Sequence, residues 1–483
     1  MSLPWEFPHP FKPFVSIHRT QENNMPDSKP KPGLITEFLP LTDPQQMYHH
    51  WANWPPVRQS NAHILDGRIL HSRYRVYRKA RQRSFIGICY ELTLQLPDTP
   101  QPQTQIVYAR AHLNGDSAHE FAETKKRPLY PTPLGTVWHL PEQDITLWIF
   151  PNDPQLPHLP DVIAPERLRH HLPYAHLPPG FNTPSSISRI DTQIVHYYPE
   201  QRCTTRYQLH NQQTGKTAVL YGKTGKNDHT RTIYNRLQTL WTHSQQHRLP
   251  FLVPRPLAYH AAIHTIWLAP VTGYPLHQCL TPQNAPFWLS AVANSLAALH
   301  RLSLSTNLHH TPASLLTEVQ HKSDKLVFAY PHLQPTIQQL LNRLAMCLPY
   351  TAVPRLLHGD FHLRQLKVHN GQLVFFDFDE FAQGNPLQDV ASFIVDLCLS
   401  EYPLADALDM ANCFYRAYRL YAPDPITDEH FLWYVQYQFL TKAYRFYRQQ
   451  RPDTETAVAK MLTLASKTTT FFQHLFPHKE KHP

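Results

Sequence analysis

At 483 residues the chain exceeds what one hydrophobic core supports, so two or three domains are expected. A composition that is 42% hydrophobic and 12% aromatic excludes global disorder, and the 47 prolines, roughly double an average share, imply many loops and edges. The net charge of +9 is spread along the chain and forms no basic stripe with interleaved aromatics, which points away from nucleic acid and toward a soluble basic enzyme.

The opening stretch MSLPWEFPHPFKPF lacks the continuous apolar segment of a leader, and no 18-residue apolar run follows it. A chain that is neither exported nor membrane-spanning is therefore expected. Residues 1–40, rich in Pro, Lys and polar side chains, read as a disordered lead-in. Cys89, Cys203, Cys279, Cys347, Cys398 and Cys413 form no CxxC pair; neither a disulfide framework nor a zinc spacing results, and a reducing cytoplasm fits. The 33 histidines fall mostly in HH pairs and loop settings and read as compositional bias rather than metal sites.

From residue 41 to about 280 the sequence runs twice through one plan. PQQMYHH (44–50) and PERLRHH (165–171) are short helix candidates with Pro at the first position, where its missing N–H costs least. CYEL (89–92) answers to RYQL (206–209), VYAR (107–110) to LYGK (220–223), and TLWIFP (146–151) to TIWLAP (265–270). The offsets are 121, 117, 113 and 119, in one order, as small loop changes would produce. An internal duplication is expected. Small mixed α/β units that merely share such fragments are the alternative.

Beyond about residue 285 the periodicity becomes helical. FWLSAVANSLAALHRL (287–302) and TIQQLLNRLAMCL (336–348) repeat apolar residues at three- and four-residue steps, and four more helices are expected after residue 388. Between these groups lies one β-like island. LKVHNGQLVFFD (366–377) is two β-rich runs joined by Asn370-Gly371, a strong two-residue hairpin signal because both residues tolerate positive φ.

That island sits inside HGDFHLRQLKVHNGQLVFFDFDE (358–380). A carboxylate before a hairpin, a side-chain amide five residues later and a second carboxylate after the hairpin form a phosphoryl-transfer layout. The first carboxylate accepts the proton of an attacking hydroxyl; the amide oxygen and second carboxylate hold Mg²⁺ on nucleotide phosphates. Here those residues are Asp360, Gln365 and Asp377, with Gln365 in the amide position where Asn is usual. A cation from a β-run must also reach the phosphates, and in AVLYGKTGKND (218–228) it is Lys223, or Lys226 if the strand is longer. His358 and His362 flank Asp360 as HxDxH, which opens a metallohydrolase alternative. No further His-rich partner follows at helical spacing, and Gln365 would then be unexplained.

HGDFHLRQ, followed by FFDFDEFAQGNPLQDVASF (375–393), resembles the signature of the aminoglycoside phosphotransferase and choline kinase group of small-molecule kinases. The resemblance is specific over 358–393 and extends over roughly 165–480; Gln365 adds a likeness to maltokinases, which carry an extra N-terminal domain. It implies an α+β, protein-kinase-like two-lobed fold, with a small lobe over 164–272 and a helical lobe over 273–483; ahead of it stands an N-terminal α+β domain over 41–163, which the repeated fragments make a candidate duplicate of the small lobe. It implies Asp360 as catalytic base, Gln365 and Asp377 as Mg²⁺ ligands, and Asp379 as a second carboxylate at the metal. His358 would orient the loop and Asp389 brace it. TIWLAPVTGYPL (265–276) resembles the hinge, with backbone groups of Leu268, Ala269 and Val271 on the adenine edge of ATP.

Two features depart from the pattern. HTRTIYNRLQTLW (229–241) offers no Glu to pair with Lys223, so Asn235, Gln238 or a distant carboxylate must substitute. YYPEQRCTTRYQL (197–209) takes the place of a glycine-rich phosphate-covering loop. In the first pass Arg110 falls where Lys223 stands in the second, with no HGD loop after it. That N-terminal copy could cap the substrate cleft, regulate, or form a homodimer. The expected function is transfer of the ATP γ-phosphate to a hydroxyl of a small polar metabolite, a sugar or amino sugar, without a membrane or nucleic-acid partner. A kinase-like nucleotide-binding or regulatory protein with little turnover is the alternative. Aromatics such as Phe414, Tyr415, Phe431, Trp433 and Tyr437 could stack on sugar rings, though helical spacing more often means core.

Overall fold

The computed structural model describes residues 38–75, 84–97, 99–113, 115–350 and 353–472. Most of the expected lead-in, residues 1–37, lies outside the described residues. The described chain divides into two compact units. One holds residues up to Thr232 with Leu257–Ala269 and Phe446–Glu455; the other holds Ile233–Pro256, Pro270–Arg445 and the residues from Thr456. The expected pieces 41–163 and 164–272 thus fall largely within the first unit.

In the first unit, α1 (Pro44–Asn53) starts on Pro44 and is followed by three long strands, β1 (His63–Arg75), β2 (Phe85–Gln95) and β3 (Gln103–Ala111). Isoleucine, valine and tyrosine recur along them, residues whose branched or flat side chains pack well on a pleated surface. After α2 (Asp116–Lys125) come β4 (Val137–Leu140) and β5 (Ile145–Ile149), and the antiparallel sheet has the order β1-β2-β3-β5-β4. Asp144, at φ 53°, makes the tight turn into β5, and its carbonyl accepts the His112 N–H at 2.9 Å.

The plan then repeats. β6 (Arg189–Tyr198), β7 (Arg202–His210) and β8 (Thr217–Gly225) form a meander, followed by α3 (His229–His247). The short β9 (Phe251–Leu252) belongs to the second unit, and β10 (Pro256–His260) and β11 (Thr265–Leu268) complete a sheet of order β10-β11-β8-β7-β6. That is the order of the first sheet read from its other edge. Two details recur as well. Each first strand carries a bulge, at Ile69/His71 and Ile194/His196. His264 at φ 45° turns into β11 and accepts the Gly225 N–H at 3.0 Å, as Asp144 accepts that of His112. One core spans both sheets, with Phe150, Leu159, Val162 and Leu168 of the connecting segment packed among Tyr207, Leu220 and Trp267.

The second unit is built of helices around a hairpin. β12 (Tyr274–Pro275) pairs with β14 (Leu366–His369), which pairs with β15 (Gln372–Phe375), and β15 pairs with β9; β13 (Arg355–Leu357) pairs with β16 (Ala382–Gly384). Asn370 at φ 49° and Gly371 at φ 79° close the hairpin as their sequence requires. The helices are α4 (Ala285–His300), α5 (Pro312–Ala329), α6 (Gln334–Met346), α7 (Leu387–Cys398), α8 (Leu404–Tyr421), α9 (Asp428–Tyr447) and α10 (Thr454–Ser466). Nearly every residue of α7 is buried, the polar Gln388, Asp389 and Ser392 included, which places it in the core of the unit. No helix among the described residues is long and apolar enough to cross a membrane.

Candidate active site

The loop 358–365 is held from three directions within the second unit. Phe361, fully buried, packs against Phe375 of β15 at 5.2 Å and Phe393 of α7 at 5.4 Å between ring centroids. It pins the residue after Asp360 into the core and leaves Asp360 at the rim. Gly359 sits at φ 88°, and a Cβ there would lie 2.0 Å from the Glu380 carbonyl oxygen, so only glycine fits. The Asp389 carboxylate, completely buried, accepts the backbone N–H of His358 at 2.7 Å and of Gly359 at 3.0 Å. His300, also fully buried, meets the same carboxylate at 3.2 Å and the Tyr418 hydroxyl at 2.7 Å. His358 itself donates from Nε2 to the Phe376 carbonyl at 2.7 Å, tying the loop to the end of the hairpin. Burial holds its imidazole below the usual pKa and thus neutral.

The polar end of this arrangement brings Asp360, His362, Gln365 and Asp377 together. The Asp360 side chain is 44% exposed, and His362 Nε2 lies 3.6 Å from its Oδ2. Burial of the group would raise its pKa, but the neighbouring His362 and the charges of Lys442 and Arg445 on α9 hold it below the usual carboxylate range. Its carboxylate is therefore ionised at neutral pH. Gln365 donates from Nε2 to Asp377 Oδ2 at 3.3 Å, which couples the two sides of the hairpin and leaves Oε1 as the acceptor atom of the amide. Asp377 adopts the left-handed conformation at φ 59°, and the next residues form a turn, Phe378–Glu380, in which Asp379 is buried. Aspartate tolerates that conformation better than most residues, yet it remains a strained choice of the kind found at functional loops.

Gln365, Asp377 and Asp379 are oxygen donors, the type Mg²⁺ takes. Among the described residues no three His, Cys, Asp or Glu side chains converge as a self-contained metal site.

Lys223, Leu268 and Ala269 belong to the first unit. Lys223 is a half-buried residue of β8, paired with Thr204 of β7 and Ile266 of β11; Lys226 is exposed beyond the strand end. Leu268 ends β11 and Ala269 ends the Leu257–Ala269 segment of the first unit, whereas Val271 lies in the second, where Thr272 reaches His369 at 2.8 Å. The aromatics proposed as stacking platforms are not available for that purpose: Phe414, Tyr415, Phe431, Trp433 and Tyr437 are all core. His300 carried no signal in the sequence, because its partner Asp389 lies 89 residues away.

Residues 233–423 match the model of the phosphotransferase enzyme family, APH. No curated protein matches the chain. Among solved structures, the chain is similar to a thermostable mutant of aminoglycoside phosphotransferase APH(4)-Ia at 17% identity, covering 59% of this chain and 95% of that one with a TM-score of 0.43. It is similar to choline kinase from Cryptosporidium parvum at 11% identity, covering 65% and 98% with a TM-score of 0.44. A choline/ethanolamine kinase family protein from Mesorhizobium loti gives 10% identity, 64% and 97% coverage and a TM-score of 0.44. The matched segment, which contains the HGD loop, the hairpin and Asp377, is thus similar to the phosphotransferase enzyme family over residues 233–423.

Proposed function

We propose that this protein is a small-molecule kinase that moves the γ-phosphate of ATP to a hydroxyl of a small polar metabolite. The observation that carries the reading is the pairing of an ionised, solvent-reaching Asp360 with Gln365 and Asp377, 3.3 Å apart across the hairpin. Asp360 accepts the proton of the attacking hydroxyl, and His362 beside it orients the carboxylate. Gln365 and Asp377 are the residues that would hold Mg²⁺, with Asp379 next in the turn. Bound there, the ion would neutralise charge on the transferring phosphate. Lys223 is the cation proposed for the nucleotide phosphates, and the backbone of Leu268, Ala269 and Val271 is proposed to hold the adenine edge.

Charge supports a proposal for the acceptor class. A cleft for polycations should ring its base with carboxylates. Here Lys442 and Arg445, one turn apart on α9, act on Asp360 instead, which favours a sugar or amino sugar over an aminoglycoside. All six cysteines are free thiols, as a cytoplasmic setting would leave them. The absence of an acidic residue from α3 supports a second reading, a nucleotide-binding protein with little turnover.

One assay separates them: ADP release measured with Mg-ATP against a panel of hexoses, amino sugars and aminoglycosides, for wild type and Asp360→Asn. Acceptor-dependent release that the variant loses supports the kinase. Nucleotide binding with no acceptor-dependent release from any member supports the second reading.

A further inference from the structure

The turn between β6 and β7 stands where a kinase small lobe carries its phosphate-covering loop, yet it contains no glycine. At its apex Glu200 adopts φ 66°, a conformation that glycine would fill without strain. Its side chain accounts for the choice. Glu200 is only 9% exposed, and its carboxylate takes Arg110 at 2.6 Å, Arg75 at 3.3 Å and the Tyr108 hydroxyl, all from the first sheet. Its backbone N–H donates to Asp153 Oδ2 at 2.9 Å, the same oxygen that accepts the Tyr197 hydroxyl at 2.6 Å. The turn is thus gripped at side chain and backbone by residues outside its own sheet.

The first sheet's side of this grip has a recognisable layout. Arg110 on β3 lies two residues before His112, whose N–H meets the left-handed Asp144; Lys223 on β8 lies two residues before Gly225, whose N–H meets the left-handed His264. The two cations therefore occupy equivalent positions in sheets of equivalent strand order. Arg110 also forms an ion pair with Glu120 on α2, the helix that follows its strand. A strand cation paired with a helix glutamate is the arrangement that kinases use beside the nucleotide. In this chain it is complete in the first sheet, while α3, the helix after Lys223, has no acidic residue.

We propose that the N-terminal sheet is a second copy of the small lobe whose cation position has been turned from a nucleotide to a protein anion, so that Arg110, Tyr108 and Arg75 clamp Glu200 and fix the β6–β7 turn over the phosphates. Glu200 and Arg110 are positioning residues, and this role rests on the kinase reading given above. The clamp supplies from outside the order that a glycine-free turn needs if it is to sit in one conformation over a ligand. Burial would raise the Glu200 carboxyl, but Arg110 beside it, with the hydrogen bonds from Tyr108 and Arg110, holds it below its ordinary value, so the clamp stays ionised at neutral pH.

Hydrogen exchange on the full chain tests this, comparing wild type with Glu200→Gln and Arg110→Met, and with Arg110→Lys as the charge-keeping control. The expected result is amide exchange at 196–204 faster by about tenfold or more in the first two variants, with the rest of the sheet unchanged and Arg110→Lys close to wild type. In the same variants the KM for ATP should rise several-fold, exceeding any fall in kcat. Exchange at 196–204 equal to wild type overturns the clamp, and so does acceleration spread evenly over both sheets. Faster local exchange with an unchanged KM for ATP overturns the positioning role. If wild type does not bind Mg-ATP at all, the kinase reading falls, and the exchange comparison still decides whether the clamp exists.

Discussion

Asp389 is the residue whose removal reports most directly on how the loop 358–365 is held. Its buried carboxylate accepts two backbone N–H groups, at 2.7 and 3.0 Å, and faces His300 at 3.2 Å. Asp389→Ala leaves both amides and the imidazole without an acceptor in a site closed to water. A buried donor left unsatisfied costs about 1–3 kcal/mol, and breaking a buried charged contact on one side costs about 3–5 kcal/mol, so a loss of roughly 3–5 kcal/mol is expected. Asp389→Asn keeps one oxygen for one amide but turns a donor toward the other, and should cost about 2 kcal/mol. For a unit of this size each kcal/mol lowers Tm by roughly 2–4 °C, which puts the alanine variant on the order of 10 °C below wild type and the asparagine variant about halfway. Calorimetry of the full chain measures this, with the exposed Asp409→Ala as a surface control expected within about 0.5 kcal/mol of wild type. Turnover should fall on the order of 100-fold as well, because Asp360 follows directly on the braced amides. An Asp389→Ala protein that melts with the surface control would refute the reasoning.

Other perturbations follow from the same geometry. Gly359→Ala must relieve a 2.0 Å approach to the Glu380 carbonyl and a φ of 88°, so it should cost at least about 2 kcal/mol and distort the loop, seen as lower Tm and lost activity together. In the proposed role of Asp360 as proton acceptor, Asp360→Asn should lower kcat by about 10²–10⁴-fold while leaving the thermal shift with Mg-ATP intact. Lys367 is buried on β14, and burial pushes its ammonium down to about 7. The unfolded chain keeps an ordinary lysine near about 10.4 and so holds more protons between about pH 7 and 10.4, where this group makes stability rise with pH. Lys367→Met should therefore raise Tm near about pH 6.5 and lose that advantage toward about pH 10, measured by melting curves across pH.

What could be read from the sequence was local. Asn370-Gly371 dictates its own turn, and the spacing of Asp360, Gln365 and Asp377 around that turn already brings amide and carboxylate within 3.3 Å. The repeated fragments correspond to two sheets of equivalent strand order within the first unit, since strand order follows from chain order when hairpins and one helix connect the strands. The remainder depended on tertiary partners. α5 begins with a capping box, but Ser314 stands in the place of the Glu that makes the motif visible in a sequence, so the helix went unpredicted. The helical spacing of the aromatic rows on α8 and α9 favoured core over a sugar platform, and burial agrees. Phe446–Glu455 reads as part of the helical lobe, yet it belongs to the first unit, where the Arg448 carbonyl accepts the Tyr74 N–H at 2.6 Å. Glu200 looked like one more polar turn residue, since nothing in its neighbours announces Arg110 ninety positions earlier.

The most direct measurement is the thermal shift with Mg-ATP for wild type and Asp377→Ala. A ligand at 100 times its Kd adds about 2.7 kcal/mol of stability, a clear rise in Tm. A shift in wild type that requires Mg²⁺ and disappears in Asp377→Ala is the expected result. An equal shift in both proteins, or none in either, would contradict the assignment of Gln365 and Asp377 to the metal and nucleotide.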